Sequence, residues 1–188
     1  MNQSSTVCGY EILAELGRGA ASIVYKARHP IVRPERPIAL KVLVLGPESD
    51  ATLRLDNHRR ESFVLAVLSQ EADSALPSLY EIGFDPDPLR QHYYIAREFI
   101  EGSTLEQMTT AGELGLRQGI AILAEIAAAI QRIHGRGFVH RNLHPSNVLI
   151  SKDGVPKLIG FGHPAVSRGG TGFHQECREC RQRSMFEL

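Results

Sequence analysis

The stretch Tyr10-Glu-Ile-Leu-Ala-Glu-Leu16-Gly17-Arg-Gly19-Ala-Ala-Ser22-Ile-Val24-Tyr-Lys-Ala27 decides how the rest of the chain is read. Tyr10, Ile12, Ala14 and Leu16 recur with period two, which predicts a strand with one buried face. Gly17 and Gly19 supply a tight, permissive backbone, and Ile23 to Ala27 resume as a second strand. From Arg28 to Pro37 the chain holds three prolines and four charges, which predicts a long hairpin loop. Alternation returns from Pro37 to Val44, with Ile38, Leu40, Val42 and Val44 on one face and Ala39, Lys41 and Leu43 on the other. Lys41 inside such a strand calls for an anionic partner, because an ammonium withdrawn from water is costly alone.

Outward from this stretch, residues 46–57 read as loop and a helix is expected from about Asn57 to Gln70, with Phe63 or Val64, Leu65 and Leu68 at helical spacing. Leu79 to Phe84 and His92 to Phe99 read as strands joined by the turn Asp85-Pro-Asp-Pro88. Ser103-x-x-Glu106 predicts a capping box. The longest helix is expected from Leu116 to His134. It carries two apolar stripes, one of Leu116, Ile120, Leu123, Ala127 and Ile130, the other of Ile122, Ile126, Ala129 and Ile133. Two stripes predict a central, buried helix, which Gly135 to Gly137 end. Val148 to Ile150 and Pro156 to Ile159 flank the turn Ser-Lys-Asp-Gly154 as a hairpin. The plan is α+β, with a strand-rich first lobe and a helical second lobe.

Composition narrows the function classes. The 188 residues carry 21 Lys plus Arg against 21 Asp plus Glu, so the net charge is zero and a basic nucleic-acid binder is not expected. Three cysteines, Cys8, Cys177 and Cys180, do not make a disulfide framework and point to a reducing, cytoplasmic setting. Residues 1–9 are polar and show no secretory leader. The most apolar stretch, Ile120 to Ile133, is broken by Glu125 and Gln131-Arg132, so no membrane partner is expected.

Taken together, the pieces resemble the protein kinase family. Leu16-Gly17-Arg-Gly19-Ala-Ala-Ser22-Ile-Val24 resembles its glycine-rich loop, Ala39-Leu-Lys41 its phosphate-binding lysine strand, and Glu61 the ion-pair partner of that lysine. Glu98-Phe-Ile100-Glu-Gly102 resembles the hinge between lobes, and His140-Arg-Asn142-Leu-His-Pro-Ser-Asn147-Val-Leu149 the catalytic loop. Gly160-Phe161-Gly162 stands where the family has Asp-Phe-Gly. The resemblance covers residues 10 to about 165. It implies a kinase-like lobe over residues 10–100 after an N-terminal tail at 1–9. A partial helical lobe follows over 101–165, then a flexible tail over 166–188. It also implies ATP as ligand. Gly17, Gly19 and Ser22 would lie along the triphosphate, Leu16, Val24, Ala39 and Leu149 around the adenine, and Glu98 and Ile100 along the hinge. Lys41, held by Glu61, would reach the α and β phosphates.

The departures concern catalysis. The family's catalytic-loop Asp accepts the proton of the substrate hydroxyl; Asn142 stands in its place, and an amide has no useful basicity near neutral pH. The family's metal-bridging Asp is Gly160, which brings no ligand. Asn147 remains as one neutral metal ligand, so magnesium is not expected to bind well. Arg97 falls just before the hinge, where a long cation would obstruct or pair at the back of the pocket; a one-residue slip would instead turn it to solvent. Residues 140–149 hold no acidic substitute, and the other carboxylates considered, Asp153 and Glu98, are not expected near the phosphates. His140 and Phe161 would stack with Leu65 as packing between lobes, and His144 replaces the family's phosphate-contacting lysine. After Gly162 no Ala-Pro-Glu follows, so a truncated, degenerate kinase is expected, with a protein partner covering an exposed helix face.

The leading expectation is therefore a serine/threonine-type pseudokinase that retains nucleotide binding or a regulatory role. Two alternatives stand beside it. One is an active ATP-dependent protein or small-molecule phosphotransferase, since Leu-His-Pro-Ser-Asn147 is also similar to a loop of the small-molecule enzymes. The other is a non-enzymatic interaction module or unstable fragment. His174, Cys177 and Cys180 have zinc-like spacing without a fourth ligand and read better as a solvated tail with free thiols.

Overall fold

The structure, a computed structural model, describes residues 6–19, 22–29, 31, 33–44, 48–69, 75–85 and 92–161. Six antiparallel strands make the first lobe: β1 (Thr6–Val7), β2 (Tyr10–Arg18), β3 (Ser22–His29), β4 (Arg33–Leu43), β5 (Leu79–Asp85) and β6 (His92–Glu98). Their order in the sheet is β1-β2-β3-β4-β6-β5, with the helix α1 (Glu48–Leu68) between β4 and β5 in sequence. The second lobe has a three-stranded sheet of β7 (Gly102–Thr104), β8 (Val148–Ser151) and β9 (Pro156–Leu158). It also holds the helices α2 (Leu105–Thr110) and α3 (Leu116–Gly135) and a single 3-10 turn at Pro145–Asn147. This is the α+β, kinase-like architecture, strand-rich first and less helical second.

The six-stranded sheet curls until its far strands meet. Tyr10 Oη on β2 donates to Glu81 Oε2 on β5 at 2.5 Å, and Tyr94 Oη on β6 donates to Glu81 Oε1 at 2.8 Å. Tyr10, Ala27, Ile38, Leu40, Val42, Tyr94 and Ala96 form the core inside this curl. Each large aliphatic side chain buried there contributes about 1.5–3 kcal/mol. Against the other face lie Val64, Leu65 and Leu68 of α1. They join Ile95, the α3 residues Ile122, Ile126, Ala129 and Ile133, and Val148, Ile150, Leu158 and Phe161 in one core that spans both lobes. The first link between lobes is tight. A Cβ on Gly102 would lie 1.9 Å from the Ile150 carbonyl oxygen, so the β7–β8 pairing admits only glycine there.

Four local expectations are corrected. Arg28 to Pro37 is no long loop: β3 runs to His29 and β4 begins at Arg33, with His29 paired to Arg33 across a register shift. Pro34 and Pro37 precede Ile38, where the pairing of β4 with β6 begins, so that side of the strand has no ladder to interrupt there. The helix α1 starts at Glu48 rather than near Asn57, since its first turns are polar and show no apolar stripe. The capping box lies one residue later than expected. Thr104 Oγ1 accepts from Gln107 N at 3.1 Å, and Gln107 Oε1 accepts from Thr104 N at 2.8 Å.

The fourth correction concerns α3, which is buried on one face only. Ile122, Ile126, Ala129 and Ile133 are interior, whereas Leu116, Ile120 and Leu123 are 84%, 59% and 60% exposed. Among the described residues no helix is long and apolar enough to cross a membrane.

Candidate functional site

Strand register builds the site. Val24 of β3, Lys41 of β4 and Ile95 of β6 pair in one row, and Lys26, Ala39 and Arg97 in the next alternate row. Directly paired residues share a face of the sheet, so Val24, Lys26, Ala39, Lys41 and Arg97 all face α1 and the second lobe. Lys41 Nζ meets Glu61 Oε2 of α1 at 2.5 Å. Arg97 is 8% exposed, so the solvent-facing alternative is excluded. Burial pulls the Arg97 guanidinium below its usual range, and the charge of Glu61 opposes that pull. Glu61, itself buried, thus pairs with Lys41, and its charge also acts on Arg97. Lys26 Nζ stands 4.6 Å above the Phe99 ring at the hinge.

His58 lies one helical turn before Glu61 and is buried, with its ring 6.2 Å from that of Tyr93. Its Nε2 finds no hydrogen-bond partner among the described residues. Burial pushes its pKa down to about 4, against a partly opposing pull from Glu61. The unfolded chain therefore takes up a proton near pH 6.5 that the folded chain refuses until about pH 4. Stability is expected to be full above pH 6.5 and to fall by up to about 3 kcal/mol as the pH drops through this window. Urea denaturation at several pH values checks this, and His58→Phe is expected to flatten the slope between pH 6.5 and 4.

The glycine-rich turn leaves room. A Cβ on Gly17 would meet nothing within 4 Å, and Gly19 N donates to Ser22 O at 2.9 Å. Leu16 is exposed, while Val24 and Leu149 are half-buried and Ala39 and Ile100 buried. Glu98 is used as a strut: its carboxylate accepts from Ser78 N at 3.0 Å and from Lys157 Nζ at 3.3 Å. Its N–H donates to Ser78 O at 2.8 Å. That bonding ties the end of β6 to β9. Asp153, the other carboxylate considered, sits exposed in the β8–β9 turn.

The loop from His140 to Asn147 closes on itself. His140 is 2% exposed, and its ring centroid lies 4.4 Å from that of Phe161, which shares its core with Leu65. That is packing between lobes. Asn142 Nδ2 donates to the Gly160 carbonyl at 3.1 Å, and Asn147 Nδ2 donates to the Asn142 carbonyl at 2.9 Å. Ile159 N donates to the Asn147 carbonyl at 2.9 Å. His144 Nδ1 lies 2.9 Å from Ser146 Oγ and caps the 3-10 turn.

Gly160 has φ +68°, and a Cβ there would lie 2.6 Å from Asn147 Oδ1. The Asn147 amide therefore occupies the space into which a residue-160 side chain would project. Magnesium binding requires hard oxygen ligands, normally carboxylates. Gly160 brings none, so the residues present do not fit the family's magnesium pair. Gly162, His174, Cys177 and Cys180 lie outside the described residues.

Sequence reasoning paired Lys41 with Glu61 and raised Arg97 as a cation that would obstruct or pair at the back of the pocket, but named no partner for it and missed His58 entirely. The period-two pattern of β6 carries the first signal, since Arg97 alternates with the apolar Ile95. Nothing in the sequence marks His58.

A model of the protein kinase domain matches residues 10–180. The probable serine/threonine-protein kinase PknB of Lactococcus lactis is 34% identical over 154 residues, covering 81% of this chain and 23% of that protein. The serine/threonine-protein kinase PknL of Mycobacterium tuberculosis is 34% identical over 81% of this chain and 36% of its own length. For the serine/threonine-protein kinase PrkC of Bacillus subtilis the identity is 32%, over 81% of this chain and 22% of that protein. The chain thus spans between about a fifth and just over a third of these relatives.

Proposed function

The chain belongs to the protein kinase domain family, and from that premise we propose that it is a pseudokinase that binds ATP without magnesium and transfers no phosphate. The observation that carries this reading is the closed Asn142–Gly160–Asn147 arrangement, in which amides and a backbone carbonyl stand where the chemistry needs two carboxylates. No carboxylate to accept the proton of a substrate hydroxyl stands in residues 140–149. A nucleotide has more in its favour. Lys26, Lys41 and Arg97 share one sheet face, and the space into which a Cβ of Gly17 would project is open. Three cations on the face that Glu61 meets leave net positive charge for a polyphosphate, which supplies part of what the metal otherwise provides.

Thermal unfolding of the chain with ATP in excess EDTA tests the binding. Stabilisation of about 2.7 kcal/mol is expected once ATP exceeds its Kd about 100-fold. Magnesium is expected to add nothing, and Lys41→Met to remove the effect. No shift under any condition would overturn the nucleotide reading. Transfer of radiolabelled phosphate by the wild-type chain, lost in Lys41→Met, would overturn the absence of catalysis.

A further inference from the structure

We propose that Cys8, Asp85 and His92 form a binding site for a zinc-type divalent cation that clips together the two ends of the curled six-stranded sheet. The Cys8 Sγ, an Asp85 carboxylate oxygen and a His92 ring nitrogen lie within 4.8 Å of one another, and all three residues are half-buried. Two of the ligands are fixed by register, since Asp85 ends β5, His92 begins β6, and the two pair directly. The third comes from the opposite end of the sheet. Cys8 sits in the β1–β2 turn at φ 53°, and only the curl that brings Tyr10 to Glu81 delivers it to the β5–β6 hairpin.

The donor set selects the metal. A thiolate, an imidazole and a carboxylate suit zinc and its borderline-soft neighbours, whereas magnesium and calcium take oxygen ligands. Tetrahedral coordination with metal–ligand bonds of about 2.0–2.3 Å needs ligand separations of ~3.5 Å, so ligand atoms that lie within 4.8 Å of one another must close by up to about 1.3 Å.

Glu81 lies just behind the site, held by the hydroxyls of Tyr10 and Tyr94. Burial, the charge of Asp85 and its hydrogen bond with the thiol, and the charge of Glu81 raise Cys8 to about 12, so this anionic corner disfavours a thiolate. A divalent cation reverses that balance. It binds Cys8 as thiolate and releases the thiol proton to solvent.

The test uses the whole chain carrying Cys177→Ser and Cys180→Ser, which removes the tail thiols as competing ligands. Titration with cobalt(II) chloride is expected to give a saturable thiolate-to-cobalt absorption at one equivalent, displaced by zinc chloride. Cys8→Ser is expected to abolish the band. His92→Ala and Asp85→Asn are each expected to weaken cobalt affinity by more than about tenfold. A folded chain with no thiolate band overturns the proposal, as does a band that survives Cys8→Ser. Should Cys8→Ser fail to fold, unchanged cobalt affinity in His92→Ala overturns it equally. Neither readout depends on nucleotide binding.

Discussion

Replacing Glu61 with alanine is expected to lower the unfolding free energy by about 3–5 kcal/mol, the cost of leaving a buried charge without its partner. The change removes the counter-charge of Lys41 at 2.5 Å and of Arg97 together. Lys41→Met is expected to cost less, because Lys41 is the more exposed member of the pair and the charge of Arg97 still acts on Glu61. The double variant Glu61→Ala with Arg97→Met is expected to recover part of the loss, since the more deeply buried cation is gone. Urea denaturation with an unchanged slope against denaturant measures all three. Equal losses in Lys41→Met and Glu61→Ala would show that Arg97 does not share the carboxylate.

The second large effect is a gain. Asn142→Asp with Gly160→Asp restores a proton acceptor and a metal-bridging carboxylate. Phosphate transfer to a basic protein acceptor, with ATP and magnesium, is expected to rise at least about 10²-fold over either single variant. Gly160→Asp alone is expected to destabilise by about 1 kcal/mol. It places a side chain at φ +68°, a region aspartate tolerates better than most residues, and displaces the Asn147 amide. That displacement is part of the gain, because it moves the Asn147 amide out of the space the new carboxylate needs. Radiolabelled transfer measures the outcome. A folded double variant with no transfer would place the block elsewhere than at these two positions.

Much of this was legible in the residues. The spacing of Gly17, Gly19, Lys41 and Glu61 and the loop from His140 to Asn147 specify the family plan, because each position answers a local chemical need. Strand alternation placed Lys41 on the face that α1 covers. The start of α1 was not legible, since polar turns carry no periodic signal and are held by the apolar turns C-terminal to them. Nor was the choice between the two stripes of α3. Both are apolar, and only packing into the shared core, with β9 beside the helix, decides that Ile122, Ile126, Ala129 and Ile133 go inside.

By itself, the sequence determined that two carboxylates are missing and that a lysine and a glutamate remain to pair, since residue identity is chemistry before any folding. Tertiary structure alone decided what stands in their place, an amide network around Gly160, and that Arg97 is buried rather than turned to solvent. It alone brought Cys8 to Asp85 and His92. These are contacts between distant segments, set by strand register and by the curl of a sheet, and neither is encoded within any short window of the chain.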